Sequence, residues 1–106
     1  MNTRTTAKLD ELYMGIIAYS KVTYPWFGVI DFAGLAASAV NYLIKKGEAY
    51  SWEKDDCSRH MVNRFNGQIG YTMRQADIDA VVDYISGIDT IDNNLAGILA
   101  AIEMSR

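Results

Sequence analysis

The chain reads as an all-α domain, a compact bundle of four to five short helices. Three observations predict it. Apolar residues recur at helical spacing through most of the sequence. The breaks between these runs carry Pro25, Gly47, Asn66-Gly67 and Gly87, which are helix-stopping or turn-forming residues. At 106 residues, half of them apolar, the chain is long enough for one core and has no composition shift to mark a second domain. Residues 1–106 are therefore expected to form a single helical domain. One segment stands apart. Tyr50 and Trp52 share period-two spacing, so 48–52 can pair with 68–71 as a small two-stranded ribbon.

The first helix is expected over 6–21. Leu9, Leu12, Tyr13, Ile16 and Ile17 fall on one face, and Thr5 or Thr6 offers a capping hydroxyl. Pro25 forces a stop, and 24–28 forms an aromatic turn with Tyr24, Trp26 and Phe27. The second helix, 30–46, is apolar nearly all round, interrupted only along Asp31, Ser38, Asn41 or Tyr42, and Lys45, and Gly47 suits a left-handed C-cap. A helix with so narrow a polar stripe is expected at the centre of the bundle. The third helix, 55–65, has Asp55 or Asp56 as cap and Cys57, Met61, Val62 and Phe65 inward. Thr72 and Gln75 match a capping box opening the fourth helix, which places Ile78, Val81, Val82 and Ile85 on one face. Asp89 or Thr90 is expected to cap the fifth, with Ile91, Leu95, Ile98, Leu99 and Ile102 inward. The short break at 87–89 makes the last two helices antiparallel neighbours.

Charge is unevenly distributed. The net value is −3. Residues 45–74 hold the basic excess, and 75–106 are strongly acidic through Asp77, Asp79, Asp83, Asp89, Asp92 and Glu103. Such a balance argues against a nucleic-acid-coating protein. A single cysteine excludes an intramolecular disulfide, and the first residues lack the apolar run of a signal peptide, so the expected compartment is a reducing cytoplasm.

Four groups of side chains could carry function. Cys57 and His60, the only residues of their types, stand three apart on one helix and could form part of a metal or thiol site. With no further cysteine or histidine, the plainer expectation is a buried thiol beside a surface imidazole, with no metal and no cofactor. Asp77 and Asp83 lie on a helix whose early carboxylates suit its N-terminal dipole, and they could also face a basic partner. Arg59 and Arg64, with Ser58 and Asn63, would form the outer face of a recognition helix if the chain bound nucleic acid, which makes a small transcriptional regulator the second reading. Trp26, Tyr50 and Trp52 sit in loops, where aromatics either cover the core or anchor a partner.

Phosphate-binding glycine loops, nucleophile elbows, zinc helices and calcium loops do not occur in the sequence. The expectation is a non-enzymatic protein-binding module without catalytic residues. Short, acidic, motif-free helical chains suggest an inhibitor or regulator carried by a phage or other mobile element and acting on a host protein. Trp26, Tyr50, Trp52, Arg59, Arg64, Asp77 and Asp83 are its candidate contact residues. Ala96, Gly97, Ala100 and Ala101 form a smooth helix face through which two copies could pair.

Overall fold

The structure, a computed structural model, describes residues 1–23, 29–66, 72–91 and 93–104. Five helices account for most of them: α1 (Thr3–Thr23), α2 (Val29–Lys45), α3 (Lys54–Phe65), α4 (Gln75–Ser86) and α5 (Asn93–Met104). A single 3₁₀ turn, Ser51–Glu53, leads into α3. The all-α reading holds, and no strand occurs among the described residues.

Helix α2 is central, as its composition predicts. It packs against α1, α3, α4 and α5. Ala33, Ala36, Ala37, Ala39, Val40 and Leu43 are all buried. Small side chains let neighbours approach the α2 backbone from several sides, which a helix lined with leucine could not permit. Its C-terminus is closed by a Schellman motif. Gly47 adopts φ +76, its N–H donates to the Ile44 carbonyl at 3.1 Å, and the Glu48 N–H donates to the Leu43 carbonyl at 2.9 Å.

The N-terminal cap of α1 is Asn2 rather than Thr5 or Thr6. Its Oδ1 accepts the Thr5 N–H at 2.8 Å. Thr5 is buried instead, and its hydroxyl donates to the Glu48 carbonyl at 3.1 Å, tying the start of α1 to the end of α2. Leu9, Leu12, Tyr13 and Ile16 face inward as expected, and the Tyr13 ring meets Phe65 of α3 edge-on at 5.0 Å. Against α5 the fit is closest at Gly15. A Cβ there would lie 2.5 Å from Ile102 Cγ2, so only glycine allows the two helices this approach.

The antiparallel pair is α3 with α4, not α4 with α5. Its closed end is held by reciprocal bonds: the Met73 N–H donates to Asn66 Oδ1 at 2.8 Å, and Asn66 Nδ2 donates to the Met73 carbonyl at 3.5 Å. Further along, Arg59 meets Asp79 and Ser86 bonds to Asp55. This arrangement displaces the expected capping box. Met73 is buried with its N–H donating to Asn66, and residues 72–74 lie outside the helix. It begins at Gln75, with the Arg74 N–H donating to Asp77 Oδ2 at 3.4 Å. Helix α5 also starts late. Residues 88–91 are not helical, so Asp89 and Thr90 are not its caps, and Ile91 lies half-buried ahead of it. Both helices pack on α2 instead of mainly on each other.

The C-terminal end of α5 is fastened to α2 through Glu103, which accepts the Tyr42 phenol proton and lies 3.8 Å from Lys46 Nζ. Burial, helped by this bond and the Glu103 charge, pushes the Tyr42 phenol up to about 12. No helix among the described residues is long and apolar enough to cross a membrane.

One α3 side chain contradicts its expected orientation. Ser58 was an outward residue of the recognition-helix reading, yet it is fully buried, one turn before Met61 and Val62. Its hydroxyl has no hydrogen-bond partner among the described residues. Removing such a group relieves a desolvation cost of about 1–3 kcal/mol, and alanine has the higher helix propensity. Ser58→Ala is therefore expected to raise the unfolding free energy by about 1 kcal/mol in urea titrations. A loss of stability would mean that the hydroxyl is bonded in solution.

Candidate functional site

The chain leaves α2 through the Gly47 turn and enters α3 through the 3₁₀ turn at 51–53. Glu53 sets that turn. It is buried, its carboxylate accepts the Tyr50 N–H at 3.1 Å and lies 3.2 Å from the Met1 ammonium, and its own N–H donates to the Tyr50 carbonyl at 2.9 Å. With the backbone bonded to itself, 50–53 has no donor row to offer a neighbouring strand. This is why no ribbon forms at 48–52. The other half of the expected ribbon, 68–71, lies outside the described residues.

Tyr50 and Trp52 are thereby turned outward, 57% and 77% exposed. Their rings stack on each other, centroids 4.3 Å apart and planes within 7°. The period-two spacing that suggested a strand instead brings two rings face to face across a tight turn.

Ser51, between the two aromatics in sequence, also lines a groove of about 500 Å³. Asn41, Ile44 and Lys45 of α2 form one wall, Ser51 and Lys54 the second, and Asp89, Thr90 and Ile91 the third. The third wall is a non-helical strap held by two side chains. Asn41 Nδ2 donates to the Ile88 carbonyl at 2.8 Å and the Thr90 carbonyl at 3.0 Å. The Lys54 ammonium donates to the Ile88 carbonyl and to Asp89 Oδ1 at 2.9 Å. One of these bonds takes the Thr90 carbonyl, which a helix capped at Thr90 would have used internally. A smaller hollow of about 210 Å³ is lined by Asn2, Arg4, Thr5, Gly47, Glu48, Ala49 and Tyr50.

The remaining candidate residues are dispersed. Arg59 is paired with Asp79 at 2.7 Å, and this bond holds the Asp79 carboxyl below its usual range. Arg64 lies 3.4 Å from Asp10 and stacks over the Tyr13 ring at 4.5 Å. Twelve residues separate Trp52 from Arg64, roughly 18 Å along a helix, so the two cannot share one small contact patch. Asp77 and Asp83 are exposed on α4. Trp26 lies outside the described residues, as do Tyr24 and Phe27. Asn41 carries no motif that marks it as a site residue. A lone amide in an otherwise apolar helix was the available signal for Asn41.

Cys57 and His60 turn to different neighbours. Cys57 is fully buried, its Sγ 3.6 Å from Met1 Sδ. Burial, with the charges of Glu53 and Asp56, pushes its thiol up to about 11. His60 turns to α1, where its Nε2 lies 2.7 Å from Asp10 Oδ1. Among the described residues no three histidine, cysteine or carboxylate side chains converge to hold a metal ion. A protonated, enclosed thiol is a poor nucleophile and a poor metal ligand. Native protein at pH 8 should therefore react with a thiol-specific disulfide reagent at least roughly a hundredfold more slowly than urea-unfolded protein. Equal rates would restore Cys57 as a reactive group.

No protein-family model matches this chain, and no curated protein or solved structure gives a significant match.

Proposed function

We propose that the chain is a non-enzymatic protein-binding module that docks through the Tyr50–Trp52 stack and the adjoining groove. The stack is the observation that carries the reading. Two large aromatic rings stand in water beside a concave, largely apolar surface, although the core has room for aromatics such as Tyr13 and Phe65. Exposed aromatics beside a hollow are what a partner buries at the centre of an interface. Mutual stacking has already restricted both side chains, so less rotamer freedom is lost on binding. In its specific form the proposal is an inhibitor or regulator of a host protein, encoded by a phage or other mobile element and acting in the cytoplasm. That form rests on the short, acidic, motif-free make-up of the chain.

The nucleic-acid reading draws less support. Arg59 and Arg64 would have to leave Asp79 and Asp10 before meeting phosphate, and Ser58 is not available on the outer face. For the Cys57 thiol, burial argues the same way.

The experiment is affinity capture from a host lysate with the wild-type chain, Trp52→Ala and the double variant Tyr50→Ala, Trp52→Ala. Both residues are exposed, so helicity and unfolding midpoint should change little. A stoichiometric protein captured by the wild type and lost with the variants is the expected result. Capture that is unaffected by either substitution would remove the stack from the interface.

We also propose that α5 can pair two copies. Gly97, Ala100, Ala101 and Met104 lie on its exposed side, with Ala96 half-buried beside them. Multi-angle light scattering at high protein concentration should then give twice the chain mass, and Ala100→Glu should return it to the monomer value. A monomer for the wild type would refute the pairing.

A further inference from the structure

We infer that the partner segment met by the Trp52 face is basic, with an arginine or lysine laid on the indole. The inference rests on the protein-binding reading and adds the chemistry of the occupant. It begins with the ring itself. One face of the Trp52 indole lies against Tyr50, and the 77% exposure of the residue leaves the rest of the ring open to solvent. An aromatic face carries negative potential and attracts cations. Elsewhere in this chain that attraction is satisfied internally, by Lys46 over Tyr42 and Arg64 over Tyr13.

The charges around Trp52 have the same preference. Asp55 and Asp56 are exposed in the first turn of α3, three and four residues after Trp52. The Asp89 side chain is 90% exposed across the groove. Of the neighbouring cations, Lys54 is withdrawn: its side chain is only 14% exposed, and its ammonium is held by the Ile88 carbonyl and Asp89. Lys45, on the α2 wall, is exposed at the far side of the groove. With Asp89 neutralised by Lys54, and Arg4, which lines the hollow beside Tyr50, paired with Glu48, the exposed charges nearest Trp52 in the chain are the carboxylates of Asp55 and Asp56. A phosphate backbone would be repelled here, whereas a guanidinium could stack on the indole while its N–H groups reach a carboxylate.

The test uses the full chain, isotope-labelled, and a capped Gly-Arg-Gly-Arg-Gly-Arg peptide as probe at low salt. Peptides with glutamate in place of arginine and a ten-residue oligothymidylate serve as comparisons. The arginine peptide should shift the Trp52 indole N–H and the backbone amides of 50–56, and the other two probes should not. Trp52→Ala keeps every charge yet should weaken binding by roughly tenfold. Asp55→Asn with Asp56→Asn keeps the ring and should weaken it roughly fivefold while flattening the salt dependence. If the arginine peptide shifts nothing at 50–56 while a captured protein still depends on Trp52, this inference fails and the protein-binding reading stands. If the oligothymidylate shifts those signals instead, both fail.

Discussion

The burial of α2 on nearly every side is the constraint from which the rest of the fold follows. A helix in contact with four others must present small side chains, and Ala33, Ala36, Ala37 and Ala39 meet that need. It must also dispose of any polar group without water. Asn41 does so by donating both amide protons to carbonyls of the 88–90 strap. An unpaired buried amide would cost a few kcal/mol, so the strap is held where those protons can be used. From this follow the late start of α5, the separation of α4 from α5, and the groove between strap and α2.

The same constraint positions the exposed aromatics. The Schellman turn at Gly47 ends α2 and reverses the chain, and buried Glu53 closes the next turn. With Glu53 directed inward, Tyr50 and Trp52 are directed outward. Fold and candidate site are therefore joined through three polar side chains, Asn41, Glu53 and Lys54, rather than through the apolar core. The uneven charge along the chain has a related explanation. Lysines and arginines of the basic middle pair with carboxylates of the acidic C-terminal third, as in Lys46 with Glu103, Lys54 with Asp89 and Arg59 with Asp79. Such exposed pairs contribute little stability individually. Together they account for charges that a linear reading treats as two separate binding faces.

Much of the architecture was legible from local patterns. The inward faces of α1, α3 and α4 follow from helical spacing, and the central place of α2 from its near-continuous apolar surface. The errors share one cause, long-range hydrogen bonding. Thr72 has the chemistry of a cap, but the reciprocal bonds between Asn66 and Met73 hold 72–74 as a connector outside the helix. Thr90 has it too, but Asn41 claims its carbonyl. Tyr50 and Trp52 alternate like strand residues, but Glu53 folds them into a turn. Each depends on a partner that becomes a neighbour only once the bundle has formed. Within the candidate site, the exposed aromatics were found by composition, whereas the groove and its strap required the fold.

Native-state amide hydrogen exchange tests the central place of α2 most directly. If all the other helices depend on packing against it, the amides of Ala36 to Leu43 should exchange only through global unfolding, with the same free energy and denaturant dependence as the whole protein. Amides of α5, packed mainly on α1 and α2 among the described residues, should open at lower free energy. If the α2 amides exchanged through a smaller opening than those of α5, the helix would not be the element on which the bundle is built.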